Sequence, residues 1–451
     1  MTDIWWCEHA WLGDAGVGRR VLISVAAGRI VDIRIDSDPV PSARRLDGLV
    51  LPGLANAHSH AFHRALRSRT QRNRGSFWTW RDLMYRAADR LNPDRYRTLA
   101  RAVYAEMALA GITAVGEFHY LHHDIGGAHY ADPNAMGHAV IDGAADAGIR
   151  ITLLDACYLS AAPDGTPLND GPQLRFGDGS GEEWASRVEA LRSEYAHRPS
   201  VIIGAALHSV RAVPLRDMPA VIEWAAEKRA PLHVHSSEQP VEVEQCLAVH
   251  GRTPTGVLRD VGALGPRTTA VHATHLTDDD LIALNSTATG VCFCPTTERD
   301  LGDGIGPAPA LLAGSGLFSL GSDSHAMIDL FAEARAVELD ERLASGQRGI
   351  ISAERLLRSA TEDGQAALGW ADAGRLAVGS RADFVAVDVN SVRTAGAGAT
   401  VENIVFAADA SDVTDVVVDG RTVVEDRRHL RVPDAAAELG STIKDLMGDA
   451  S

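Results

Sequence analysis

Residues 51–60 read Leu51-Pro52-Gly53-Leu54-Ala55-Asn56-Ala57-His58-Ser59-His60, an apolar run that ends in a His-x-His pair. In an extended chain, side chains two positions apart point the same way, so a strand ending here presents two imidazoles side by side. Two ligands of one metal ion need that arrangement. The pair alone says little, because a chain with 18 histidines produces such spacings by chance. Its meaning comes from what lies downstream.

Outward from this stretch, short apolar runs rich in strand-forming residues recur at 49–56, 112–118, 150–156, 201–207, 231–235, 268–272, 290–294 and 316–321. Helical patterns lie between most of them: 95–110, stopped by Gly111, then 214–229 and 352–368. Near-continuous apolar strands separated by helices indicate a parallel sheet covered on both faces. Eight such units within about 270 residues fit an α/β fold of the (β/α)8 barrel type better than an open doubly wound sheet. No glycine-rich nucleotide loop follows the first run, which weakens a dinucleotide-binding alternative.

The flanks read differently. Residues 21–25 and 29–33 form a strand, a tight Ala27-Gly28 turn and a second strand, and the pattern returns at 383–388 and 413–421 with an Asp419-Gly420 turn. Both chain ends are therefore expected to build one small β-sandwich domain, from 1–48 and 376–451, with the barrel domain (49–375) inserted between them. Two loops rich in glycine, proline and acidic residues, 159–182 and 302–309, follow the third and seventh runs.

Bulk properties narrow the function. The 451 residues are 45% hydrophobic and 23% charged, with 43 basic against 60 acidic residues and a formal charge of −17. This argues against a nucleic-acid or anionic-membrane partner. No run approaches the roughly 18 apolar residues of a membrane span, and the N-terminus lacks a basic region and apolar core. Five scattered cysteines (Cys7, Cys157, Cys246, Cys292, Cys294) are not a disulfide framework. A cytoplasmic protein is expected.

In a barrel of this type, chemistry sits where strands end and loops begin. Run one ends at His58 and His60, run two in Glu117-Phe118-His119-Tyr120, and run four in His208-Ser209-Val210-Arg211. Run five gives His235-Ser236-Ser237-Glu238, run six His272, and run eight Asp323-Ser324-His325. Structural histidines have no reason to gather at the same end of successive strands. That agreement in phase is the strong signal.

These motifs resemble the amidohydrolase superfamily: a His-x-His after strand one, a histidine after strands five and six, an aspartate after strand eight. The resemblance spans the whole barrel and implies the split β-domain as well. Run four carries no lysine to bridge two metals, and Lys228 falls in the helix beyond it, so a single metal is implied, as in the deaminase branch. Within that branch the strings Asn56-Ala57-His58-Ser59-His60-Ala61-Phe62, Ser76-Phe77-Trp78-Thr79-Trp80-Arg81, Glu117 to Asp124, His208 to Val213, Val271 to His275 and Leu301 to Ile305 resemble the N-formimino-L-glutamate deiminases.

The resemblance implies hydrolysis of N-formimino-L-glutamate to N-formyl-L-glutamate and ammonia, in histidine breakdown. It implies His58, His60, His235 and Asp323 as ligands of one zinc ion, although Fe2+ or Mn2+ also suits such a nitrogen and oxygen set. It further implies Glu238, His272 and Asp323 as catalytic groups. A small-molecule dicarboxylate needs cationic donors, for which Arg81 and Arg211 are the candidates, with Tyr120 and His208 beside them. The family pattern departs at His63, where a glutamine is expected against the formimino group; histidine also donates or accepts a hydrogen bond. The alternative is a related mononuclear-zinc deaminase acting on a purine, pterin or other cyclic amidine. A homodimer is the implied assembly, and Trp78 and Trp80 are expected to pack or to cover the site.

Overall fold

The computed structural model describes residues 2–71, 77–168 and 171–448, with the side chains of 77–79 left aside. Eight parallel strands lie side by side in chain order: Leu54–Ser59, Ile112–His119, Arg150–Cys157, Val201–Ser209, Leu232–Ser236, Thr268–His272, Gly290–Phe293 and Phe318–Leu320. Helices such as Pro93–Leu109, Ala135–Ala147, Gly181–Tyr195 and Met218–Lys228 fall between them. The strands are buried almost throughout, as expected of a parallel sheet with helices outside and side chains filling the ring. The ring closes through one parallel bridge between Ser59 and Asp323, where Asp323 N donates to His58 O at 3.0 Å and His60 N to Asp323 O at 3.3 Å. Closure therefore happens at the residues that matter most for the site.

The opposite end of the ring is stoppered. Leu368 and Trp370 pack with Ala55, Ala57, Ala114 and Val271 inside it, and Thr152 Oγ1 donates to Leu368 O at 2.8 Å. The expected single helix over 352–368 is two helices, Ala353–Ala360 and Glu362–Ala367, parted at Thr361 (φ −122°, ψ −93°). The turn between them sends Leu368 under the barrel instead of along its side. Among the described residues, this packing closes the ring at the end opposite the strand C-termini.

Strands from both chain ends form a second eight-stranded sheet, mostly antiparallel with one parallel pair. One correction concerns the first apolar run. Residues 49–52 belong to this sheet, as the end of strand Arg44–Pro52, and the barrel strand begins at Leu54. The apolar run is continuous because both strands are buried, and the break falls at Gly53. A Cβ there would lie 2.3 Å from Thr113 Oγ1 and 2.8 Å from Asp383 Cβ, so only glycine lets the chain cross from one sheet to the other. The final helix, Ala435–Met447, leaves the sheet and lies on the barrel helix Pro93–Leu109, where Arg101 Nη2 donates to Glu438 at 2.9 Å.

Sheet and barrel are locked by a buried ion pair. Arg150, at the start of the third barrel strand, donates to both oxygens of Asp383 at 2.9 and 2.6 Å, with Gln365 and Asp419 at 3.3 Å. Burial opposes the guanidinium charge, but Asp383 outweighs it and holds the group above its ordinary value. Removing one partner of such a pair leaves an uncompensated buried charge. Arg150→Ala is expected to lower unfolding free energy by about 3–5 kcal/mol, read as a shift in the denaturant midpoint; an unchanged midpoint would contradict this account of the junction.

Candidate metal centre and substrate cavity

His58 ends the first barrel strand, and His60 follows it in extended backbone. His235 lies near the end of the fifth strand, and Asp323 follows the eighth. One ligand atom from each of these four buried residues lies within 4.8 Å of the other three. Two of the imidazoles are oriented from behind: His60 Nδ1 contacts Phe118 O at 2.9 Å and His235 Nδ1 contacts His208 O at 2.8 Å. A carbonyl accepts only, so each Nδ1 carries the proton and each Nε2 presents a lone pair. His235 Nε2 lies 3.1 Å from His58 Nε2, while Asp323 Oδ1 lies 3.4 Å from His58 Nε2 and 3.3 Å from His60 Nε2.

Two buried imidazole lone pairs at that distance repel unless a proton or a cation stands between them. Burial drives His58 down to about 3 and His235 well below its ordinary value, so both rings are neutral near pH 7 and can offer nitrogen lone pairs to a cation. The donor set, three imidazole nitrogens and one carboxylate, is that of a divalent cation with a position left for water. These residues fit a metal.

The backbone is bent to present them. Asp323 (φ 41°) and His272 (φ 68°) occupy the left-handed region, which costs a non-glycine residue about 1–3 kcal/mol. Strands one and eight meet closely because residue 321 has no side chain: a Cβ there would lie 2.7 Å from His58 Cβ and 2.8 Å from His58 O.

Behind this cluster, Glu117 accepts from Ser59 Oγ at 2.7 Å and Ala61 N at 2.6 Å, gripping the chain on either side of His60. Burial pushes Glu117 up to about 7. His325 bridges Ser59 Oγ at 3.2 Å and Ser322 Oγ at 3.0 Å.

His272 ends the sixth strand. Its Nδ1 lies 3.3 Å from Glu298 Oε1, and its Nε2 faces Glu238 Oε1 at 3.8 Å and Asp323 Oδ2 at 3.9 Å. Burial opposes a charge on His272, but these three carboxyls together hold it well above its ordinary value. Burial also raises Glu238, whereas the His58 and His60 contacts hold Asp323 well below the carboxylate range in spite of burial. Two neighbouring carboxyls thus favour opposite protonation states.

Three of the four clustered residues, His60, His235 and Asp323, line a cavity of about 470 Å³. Every proposed binding residue lines it: His63, Arg81, Tyr120, His208 and Arg211, together with Glu238. His63 Nε2 and Tyr120 Oη are 2.7 Å apart, so the residue standing in the glutamine position holds the tyrosine. Arg81 lies over the Tyr85 ring at 5.5 Å. Arg211 Nη1 donates to Tyr158 Oη at 3.3 Å, and among the described residues no carboxylate forms an ion pair with Arg211.

Sequence reasoning missed Tyr158, Glu242 and Gln245, which also line the cavity. Tyr158 directly follows the third strand, so the rule that pointed to His208 pointed to it as well; the two helix residues offer no comparable signal. Trp80 lines the cavity, while the Trp78 side chain lies outside the described residues.

A second polar group sits outside the ring. His119, His122 and Asp155 bring ligand atoms together, but Arg187 donates to Asp155 at 2.8 and 3.0 Å and to Asp178 at 2.6 and 2.9 Å. A guanidinium already occupies the place a cation would take, and His122 Nε2 is bonded to Ala156 O. This group anchors the segment that carries Tyr120.

The Amidohydrolase family profile matches residues 49–423. The formimidoylglutamate deiminase of Pseudomonas aeruginosa is 38% identical over 94% of each chain. A 5-methylthioadenosine/S-adenosylhomocysteine deaminase of Syntrophobacter fumaroxidans is 30% identical over 85% of this chain and 82% of its own. Among solved structures, an amidohydrolase from Brucella melitensis superposes with a TM-score of 0.92 at 32% identity, covering 99% of this chain and 100% of the other.

Since residue 321 sets the spacing of the first and last strands, Gly321→Ala is expected to push His58 away from Asp323. Metal affinity should fall about 10–100-fold in a chelator competition, with circular dichroism unchanged; an unaltered affinity would contradict the packing argument.

Proposed function

The chain belongs to the amidohydrolase family and is a hydrolase of carbon–nitrogen bonds, and from that premise we propose that it removes ammonia from N-formimino-L-glutamate, with zinc at the four-residue centre. The observation that carries this reading is Arg211. It is recessed in the cavity, with a phenol as its hydrogen-bond partner and no carboxylate paired to it among the described residues. A half-buried guanidinium in that state has donors to offer an anion. Arg81 lines the same cavity as the second cation, and the substrate has two carboxylates.

The lining includes carboxyls (Glu238, Asp323, Glu242) and guanidiniums (Arg81, Arg211), so the cavity offers groups to both a cationic amidine and an anionic carboxylate.

His58, His60, His235 and Asp323 would hold the cation, which when bound supplies the acidity that makes hydroxide available from water near pH 7. Asp323, ionised, takes a proton from the attacking water. His272, held by Glu298, faces the charge that develops at the formimino carbon. Glu238, its pKa raised by burial, passes a proton to the departing nitrogen. Addition of water to the C=N bond followed by loss of ammonia leaves the formyl amide. The five cysteines are all free and buried, which fits a reducing cytoplasm.

The aromatic lining of Trp80, Tyr85, Tyr120 and Tyr158 supports a second reading, a purine or other cyclic amidine stacked among the rings.

An ammonia-release assay separates the two. Turnover of N-formimino-L-glutamate with none of 5-methylthioadenosine, adenine or guanine is expected, and the reverse would overturn the substrate assignment. Arg211→Ala should lower kcat/KM roughly 10- to 150-fold, the equivalent of one charged hydrogen bond of about 1.5–3 kcal/mol, with metal content intact; unchanged kinetics would remove Arg211 from the site. Glu238→Gln should abolish kcat while retaining metal, and full turnover would exclude it as the acid.

A further inference from the structure

Beside the four-residue centre lies a second set of ligand atoms that the proposed chemistry does not use as a set. One atom from each of His272, Cys294 and Asp323 lies within 4.8 Å of the other two, and all three residues are buried. Glu238 Oε1 reaches the same place, 3.8 Å from His272 Nε2. Cys294 directly follows the seventh strand, and its backbone N–H donates to Glu298 Oε1 at 2.9 Å. That same carboxylate oxygen lies 3.3 Å from His272 Nδ1, so Glu298 fixes the cysteine and the histidine relative to each other.

Carboxyls crowd the place: Glu238, Glu298 and Asp323 surround one imidazole. His272, Glu238 and Asp323 all face the open cavity, giving a second ion a way in.

We propose that a second, thiophilic divalent cation binds His272, Cys294 and Asp323, with Glu238 as a further donor, next to the first cation, and that it arrests turnover. Asp323 would bridge the two ions. On binding, Cys294 loses its thiol proton, and His272 and Glu238 lose the protons they carry at their ligating atoms, all to solvent, as sulfur–, nitrogen– and oxygen–metal bonds form; nothing is oxidised or reduced. Arrest follows because the ion occupies His272 Nε2 and Glu238, the groups assigned to charge stabilisation and proton delivery. Thiolate selects zinc or cadmium over magnesium or calcium, so millimolar magnesium should not inhibit.

The proposal rests on the four-residue centre taking the first cation, and the test separates the two. Zinc is added in excess to purified enzyme carrying its resident cation, and bound metal, turnover and X-ray absorption are measured. A second equivalent is expected to bind as kcat falls, with a sulfur neighbour at about 2.3 Å that the single-cation form lacks. In Cys294→Ser, the second equivalent and the inhibition should weaken together by about tenfold or more, with the first equivalent unaffected. Two-zinc protein without a sulfur neighbour, or a Cys294→Ser titration matching the parent, would overturn the second site alone. Failure of even the first equivalent to bind would overturn the metal centre beneath it. The absorption measurement needs no variant, so it decides the matter even if Cys294→Ser does not fold.

Discussion

Three imidazole nitrogens and one carboxylate oxygen are crowded within 4.8 Å at the point where the barrel closes. Burial keeps His58 and His235 neutral, so the cluster offers imidazole lone pairs beside a carboxylate, which a divalent cation would bring together. Much of the surrounding structure serves to hold it: carbonyls fix two ring orientations, Glu117 grips both neighbours of His60, and Gly321 allows the strands to meet. Two non-glycine residues in left-handed backbone, His272 and Asp323, store strain at the same spot.

From that constraint the chemistry of the cavity follows. The barrel is stoppered by Leu368 and Trp370 at the end opposite the strand C-termini. Carboxyls gather near the metal-binding residues, and two arginines line the cavity with them. Depressed Asp323 and raised Glu238 differ because the first faces imidazoles and the second is buried among other carboxyls. Environment alone thus shifts two neighbouring carboxyls in opposite directions.

The barrel was legible because parallel strands buried on both faces write themselves as apolar runs, and because the strands end in phase in chemically active residues. That phase brought out the family resemblance, and the resemblance named the four proposed ligands. The same continuity hid the junction at Gly53, since nothing in 49–56 distinguishes a strand of one sheet from a strand of the next. The 352–368 segment kept a helical pattern across Thr361, and only the packing of Leu368 inside the barrel accounts for the turn. Glu242 and Gln245 reach the cavity from the helix Pro240–His250, whose exposed residues give no period to follow. His119, His122 and Asp155 come together only in the fold, where the position of Arg187 shows that the charge is already balanced.

The central claim is that one divalent cation at His58, His60, His235 and Asp323 is required for hydrolysis. Metal analysis of the purified protein, coupled to ammonia release before and after exhaustive chelation, tests it most directly. The account predicts one cation per chain, loss of turnover when it is stripped, and recovery on adding back a single equivalent of zinc. Undiminished turnover in metal-free protein would contradict it.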